Sequence, residues 1–150
     1  MTRPTRRLAP LAARIAALPV ALLVTLFAAA ACLAPAAPAA ALDLNGFRAQ
    51  HKLPRLRASS ELTGAAHAHA RDLAARGALD HDGFRDRLRR HAMGAENVAY
   101  GCGTQDCVIR MWARSPGHRR NMLMKGVTQY GLASARAANG QTYWVLELGN

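Results

Sequence analysis

The stretch from Val127 to Asn150 constrains the fold most. VTQYGLASARA and QTYWVLELG are rich in Val, Thr, Tyr and Trp, and Asn139-Gly140 between them is a strong turn signal. The pattern predicts a β-hairpin. Helical spacing dominates the segments upstream, between connectors and glycine-punctuated loops. Helices early, strands late and no internal repeat predict an α+β domain, not a wound βαβ sheet.

The helical part divides at its stop and cap residues. LDLNGFRAQHKL (42–53) places Leu44, Phe47 and His51 at helical spacing and is stopped by Pro54. SELTGAAHAHARDLAARG (60–77) is the clearest helix, with Ser59 or Ser60 as cap, Glu61 at the positive end of the dipole and Gly77 as stop. Leu62, Ala66, His69 and Leu73 share one face. His69 on that stripe reads as a hydrogen-bonded, partly buried histidine. His67, two positions earlier, faces elsewhere and reads as wet, so His-Ala-His is no metal clamp. FRDRLRRH reads as a short helix between loops. Its arginines at 85, 87, 89 and 90 read as a solvated face, because no aromatics are interleaved for base stacking. Nucleic acid is therefore not an expected partner. TQDCVIRMWA (104–113) is a further helix capped by Thr104, with Val108 and Trp112 buried. Ser115-Pro116 then restarts a helix, which puts His118 at its third position.

The first 41 residues have a different character. Arg3, Arg6, Arg7 and Arg14 precede an apolar run from Ile15 to Leu33 and an Ala-rich end at Ala39-Ala40-Ala41. That order predicts a signal peptide over 1–41, a domain over 42–150, and a secreted or periplasmic destination. An uncleaved anchor, twin-arginine export through Arg6-Arg7 and lipidation of Cys32 are the alternatives. With Cys32 removed, Cys102 and Cys107 form an even pair in an oxidising compartment, which predicts a disulfide closing GCGTQDC. Beyond residue 41 the chain has 16 basic and 9 acidic residues, a net charge of +7. Such a surface suits anionic envelope neighbours, namely lipid or cell-wall polymer. A solvated basic surface is the plainer reading.

Three residues stand out as chemistry-bearing. His118 sits where the helix dipole disfavours a second positive charge, so it is expected to stay neutral near pH 7. A neutral imidazole suits a metal or a general base. His81 lies between Asp80 and Asp82, either of which can orient its ring. Glu96 is a lone acid in the apolar, glycine-hinged segment GAENVAY, so it is either partnered or a site residue. The chain contains no His-Glu-x-x-His, phosphate-cradling glycine loop or Gly-x-Ser-x-Gly elbow.

Taken in order, LNGFRAQHKLPRL, AAHAHARDLAARG, DHDG, GAENVAYG, WARSPGHRRNML and YWVLELG resemble the bacterial SCP-like branch of the CAP superfamily. That superfamily groups cysteine-rich secretory, antigen 5 and pathogenesis-related proteins. The resemblance covers residues 44 to 149 and implies an α-β-α sandwich around a central antiparallel sheet. It implies a cleft where His81, Glu96 and His118 gather, with His81 and His118 as candidate Zn²⁺ ligands. Many eukaryotic members carry a further glutamate three residues after the tryptophan, a place taken here by Ser115. Two functions follow as expectations. One is a binding module for an envelope lipid, polymer or protein, with zinc held in its cleft without turnover. The other is a metal-dependent hydrolase of peptidase or esterase type, with Glu96 as ligand or base.

Overall fold

The structure, a computed structural model, describes residues 40–150. The segment read as a signal peptide, with Arg6-Arg7 and Cys32, therefore lies almost wholly outside the described residues. Five helices and four strands follow in the order α1 (Leu44–Gln50), β1 (Arg57–Ala58), α2 (Ser60–Arg76), α3 (Phe84–His91), β2 (Met93–Tyr100), α4 (Gln105–Arg114), α5 (Pro116–Met122), β3 (Gln129–Arg136) and β4 (Thr142–Gly149). The cap residues act as the sequence predicts. Ser59 accepts a hydrogen bond from the Leu62 amide, Thr104 accepts one from Cys107, and Gly77 ends α2 in the left-handed conformation.

The sheet runs β1-β3-β4-β2. The hairpin β3–β4 forms around Asn139-Gly140, and β2 adds antiparallel to the other side of β4. The α+β class stands, but the sheet is mixed, not antiparallel throughout: β1 pairs parallel with β3 through Arg57 and Ala58. GAENVAY, expected only as a hinged segment, is the strand β2. Its glycine-flanked, alanine-rich sequence has little strand character of its own, and its pairing with β4 supplies the ladder.

Side-chain alternation along β4 divides the core in two. Tyr143 and Val145 join Val98 against Ala66, Ala70 and Leu73 of α2. Leu146 and Leu148 face the other way, where Leu44, Phe47, Val108, Ile109, Trp112 and Met122 of α1, α4 and α5 cover them. β4 is thus buried on both faces. Helix α2 lies close on the sheet because its contact residues are small. At Gly131 of β3 even a methyl group would overlap the Leu62–Thr63 backbone.

Buried polar groups fasten the layers. Arg48, 1% exposed, donates to the carbonyls of Pro54, Met122 and Met124. Asn97 of β2 donates to the His118 carbonyl at 3.0 Å and accepts from Asn121 at 2.9 Å. Cys102 and Cys107 are joined by a disulfide, as predicted.

Candidate functional site

The site grows from the strand register. Glu96 of β2 stands opposite Glu147 of β4, which stands opposite Gly131 of β3. All three point to the α2 side of the sheet, so two carboxyls share one buried row. Like charges directly across a ladder repel, and burial multiplies the cost. One proton and one cation resolve the conflict.

Arg87 of α3 is the cation. Its Nε and Nη2 donate to Glu96 Oε2 at 3.0 and 2.6 Å, and its Nη1 donates to the Asp82 carbonyl at 2.6 Å. The other Glu96 oxygen, Oε1, meets His81 Nδ1 at 2.7 Å and lies 3.8 Å from His69 Nε2. Burial alone would raise the Glu96 carboxyl. The neighbouring Glu147 acid, His81 and Arg87 outweigh it and hold Glu96 below its usual range.

Glu147 takes the opposite course. It is fully buried, and burial together with the adjacent Glu96 charge pushes its carboxyl up to about 10. It is therefore a neutral acid at pH 7. Neither of its oxygens accepts a bond from an N–H or hydroxyl donor among the described residues, and Arg87 Nε is 3.4 Å from Oε1 without bonding geometry. Burial comes first and the side-chain hydrogen bond to Glu96 second in setting its protonation, with the Glu147 acid as donor and the Glu96 carboxylate as acceptor.

Of the predicted residues, His81 and Glu96 are in direct contact. His118 is the third position of α5, as the Ser115-Pro116 signal predicts, although Ser115 makes no side-chain cap bond. Its carbonyl is tied to Asn97, next along β2 from Glu96, and its ring lies 6.4 Å from that of Trp112. The His118 imidazole is held below its ordinary value, first by burial and then by the charge of His81. That direction agrees with the expected neutrality, and burial is its first cause. His69 is buried and neutral for the same first reason, with Nε2 3.3 Å from the Asp80 carbonyl.

The reading of Arg87 as part of a solvated face is corrected: its side chain is only 11% exposed and forms the central ion pair. The four arginines of FRDRLRRH look alike in sequence, and only the fold separates the inward one. Glu147 was missed altogether. Its signal was the one used for Glu96, a lone acid in an apolar stretch, here YWVLELG.

A three-ligand zinc site does not fit this arrangement. Among the described residues no group of three or more His, Cys, Asp or Glu side chains is placed to hold a metal ion. Glu96, the intended third ligand, has one oxygen taken by His81 and the other by a guanidinium. A cation already in contact with a carboxylate opposes a second one there. What remains for a metal is two imidazoles, His81 and His118.

Around this cluster, a cleft of about 290 Å³ between α2 and α3 reaches His69 and Arg87. A separate cavity of about 300 Å³ lies between β2, α4 and α5, with Trp112 and His118 in its wall.

No curated protein matches the chain. Solved structures do match in fold. An outer surface protein of Borrelia burgdorferi is 17% identical with a TM-score of 0.60, over 71% of this chain and 86% of that one. An extracellular SCP-domain protein of Bacillus anthracis is 24% identical with a TM-score of 0.59, over 71% of this chain and 38% of that one. A cysteine-rich secretory protein of Staphylococcus aureus is 22% identical with a TM-score of 0.56, again over 71% of this chain, and 36% of that one. This chain spans little more than a third of the last two. The family model for the cysteine-rich secretory protein (CAP) family matches residues 43–148, so with its two-layered helical covering of a β2–β4–β3 sheet this chain belongs to that family.

Proposed function

We propose that this is an exported binding domain that meets an envelope ligand, lipid, cell-wall polymer or protein, and that it catalyses no hydrolysis. The observation that carries the reading is the fate of Glu96. A hydrolytic base needs a carboxylate that is free to take a proton, with a pKa tuned toward the working pH. Glu96 is buried, saturated by Arg87 and His81, and held below its usual range. The metal-dependent alternative loses its base and its third ligand together. Export is supported by the basic, apolar, Ala-x-Ala order of residues 1–41, by the disulfide, and by the outer-surface and extracellular character of the structural relatives.

The test is a panel of peptide and ester substrates presented to the purified protein and to Glu96→Gln, beside capture from native envelope. The expected result is no turnover above background and saturable retention of an envelope component. Turnover that disappears in Glu96→Gln would overturn the reading.

Zinc without turnover is the second reading. Burial first, and then the nearby His81 charge, favour the uncharged His118 imidazole that a metal needs, and that supports this reading. Calorimetric titration with Zn²⁺ is expected to give one site, weakened at least tenfold in both His81→Ala and His118→Ala. Equal binding by all three proteins would remove it.

A further inference from the structure

We infer that the cavity between β2, α4 and α5 is a site for an uncharged, ring-sized amphiphile bearing a hydroxyl or similar group, with Ser115 and His118 as its polar contacts. This deepens the binding-module reading and rests on it. Leu79 and Tyr100 are the exposed large hydrophobic residues among the described ones, at 45% and 46%. Both border this one cavity. A lone exposed apolar side chain needs no explanation, but a pair at the mouth of an apolar hollow marks a contact site.

The hollow has the dimensions and chemistry of a small-ligand pocket. Its volume of about 300 Å³ is at the low end of the range for such sites, enough for one ring with short substituents. Val98, Met111 and Trp112 form its walls. No Asp, Glu, Lys or Arg lines it, in a domain otherwise rich in arginine. A charged ligand would be desolvated there without a counter-ion, which selects a neutral one.

Two polar groups in the wall have bonding capacity left. Ser115 caps α5 without a side-chain hydrogen bond. The His118 ring makes none to another described residue; its bond to Asn97 runs through the backbone carbonyl. An imidazole ring offers at least one N–H donor, and a serine hydroxyl offers both a donor and an acceptor, so a ligand hydroxyl has partners for its lone pairs and its proton.

The experiment uses ¹H–¹⁵N NMR titration of the intact protein with 4-methylphenol, 4-methylbenzoate and 4-methylbenzylamine. The phenol is expected to bind saturably, with shifts concentrated at Ala99, Met111, Ser115 and the His118 ring. The two charged analogues are expected to bind at least tenfold more weakly. Ser115→Leu, which fills the hollow, is expected to weaken phenol binding at least tenfold, and Tyr100→Ser, at the exposed mouth, about threefold. No phenol binding, equal binding of all three probes, or shifts centred elsewhere would overturn the site. A tryptophan-bearing peptide that binds where the phenol does not would also overturn it, in favour of a protein side chain as occupant. Those failures leave the envelope-capture result standing, whereas turnover dependent on Glu96 would sink the binding-module reading while phenol binding persists.

Discussion

Glu147→Gln tests the buried charge arrangement directly. Glu147 is fully buried and titrates at about 10 in the fold, against an ordinary value of 4.5. Between those two pH values the folded protein keeps a proton that the unfolded chain has lost. Stability therefore falls as pH rises, by about 1.4 kcal/mol per pH unit. From pH 5 to pH 7.5 the loss integrates to about 3 kcal/mol. Glu96 moves the other way: held low, it contributes stability that is present above its ordinary 4.5 and is lost as pH falls below that, outside this window. His69 and His118, both held low, gain stability as pH rises through their ordinary value of 6.5. That gain is common to both proteins and cancels in their difference. Urea unfolding followed by far-ultraviolet circular dichroism at pH 5 and 7.5 supplies that difference. The expected result is that Glu147→Gln gains on the wild type by about 3 kcal/mol between the two pH values. A gap that stays constant would show that Glu147 titrates like an ordinary carboxyl, and the account of one shared proton would fail.

Three other outcomes follow from particular contacts. Arg87→Met leaves Glu96 buried beside Glu147 without its cation, which should cost about 3–5 kcal/mol in urea unfolding; adding Glu96→Gln should recover much of it, and a loss below about 1 kcal/mol in the single variant would contradict the central pairing. Gly131→Ala drives a methyl into the Leu62–Thr63 backbone of α2, so an overpacking penalty of about 3 kcal/mol or failure to fold is expected; an unchanged melting temperature would mean that α2 sits further from the sheet. Reducing the Cys102–Cys107 bond opens a loop of small span, so a loss of about 2 kcal/mol is expected on comparing denaturation with and without reductant; wholesale unfolding would make it a global staple instead of a local clip.

Local physics explains what the sequence by itself determined. Ser59, Thr104 and Gly77 set helix ends because capping depends on neighbours a few residues away. Asn139-Gly140 set the hairpin because a tight turn requires its own residue types. The α+β class, the disulfide and the places of His69 and His118 followed from the same short-range rules. Only the tertiary structure decided what needed a partner far along the chain. β2 is a strand because β4 supplies its hydrogen bonds, which no reading of GAENVAY alone contains. Arg87 differs from its three neighbouring arginines only in facing Glu96. Glu147 becomes a neutral acid, and Glu96 a charged one, because the register sets them side by side in a place too dry for two charges. Protonation there belongs to the pair and its surroundings, and those surroundings exist only once the strands have met.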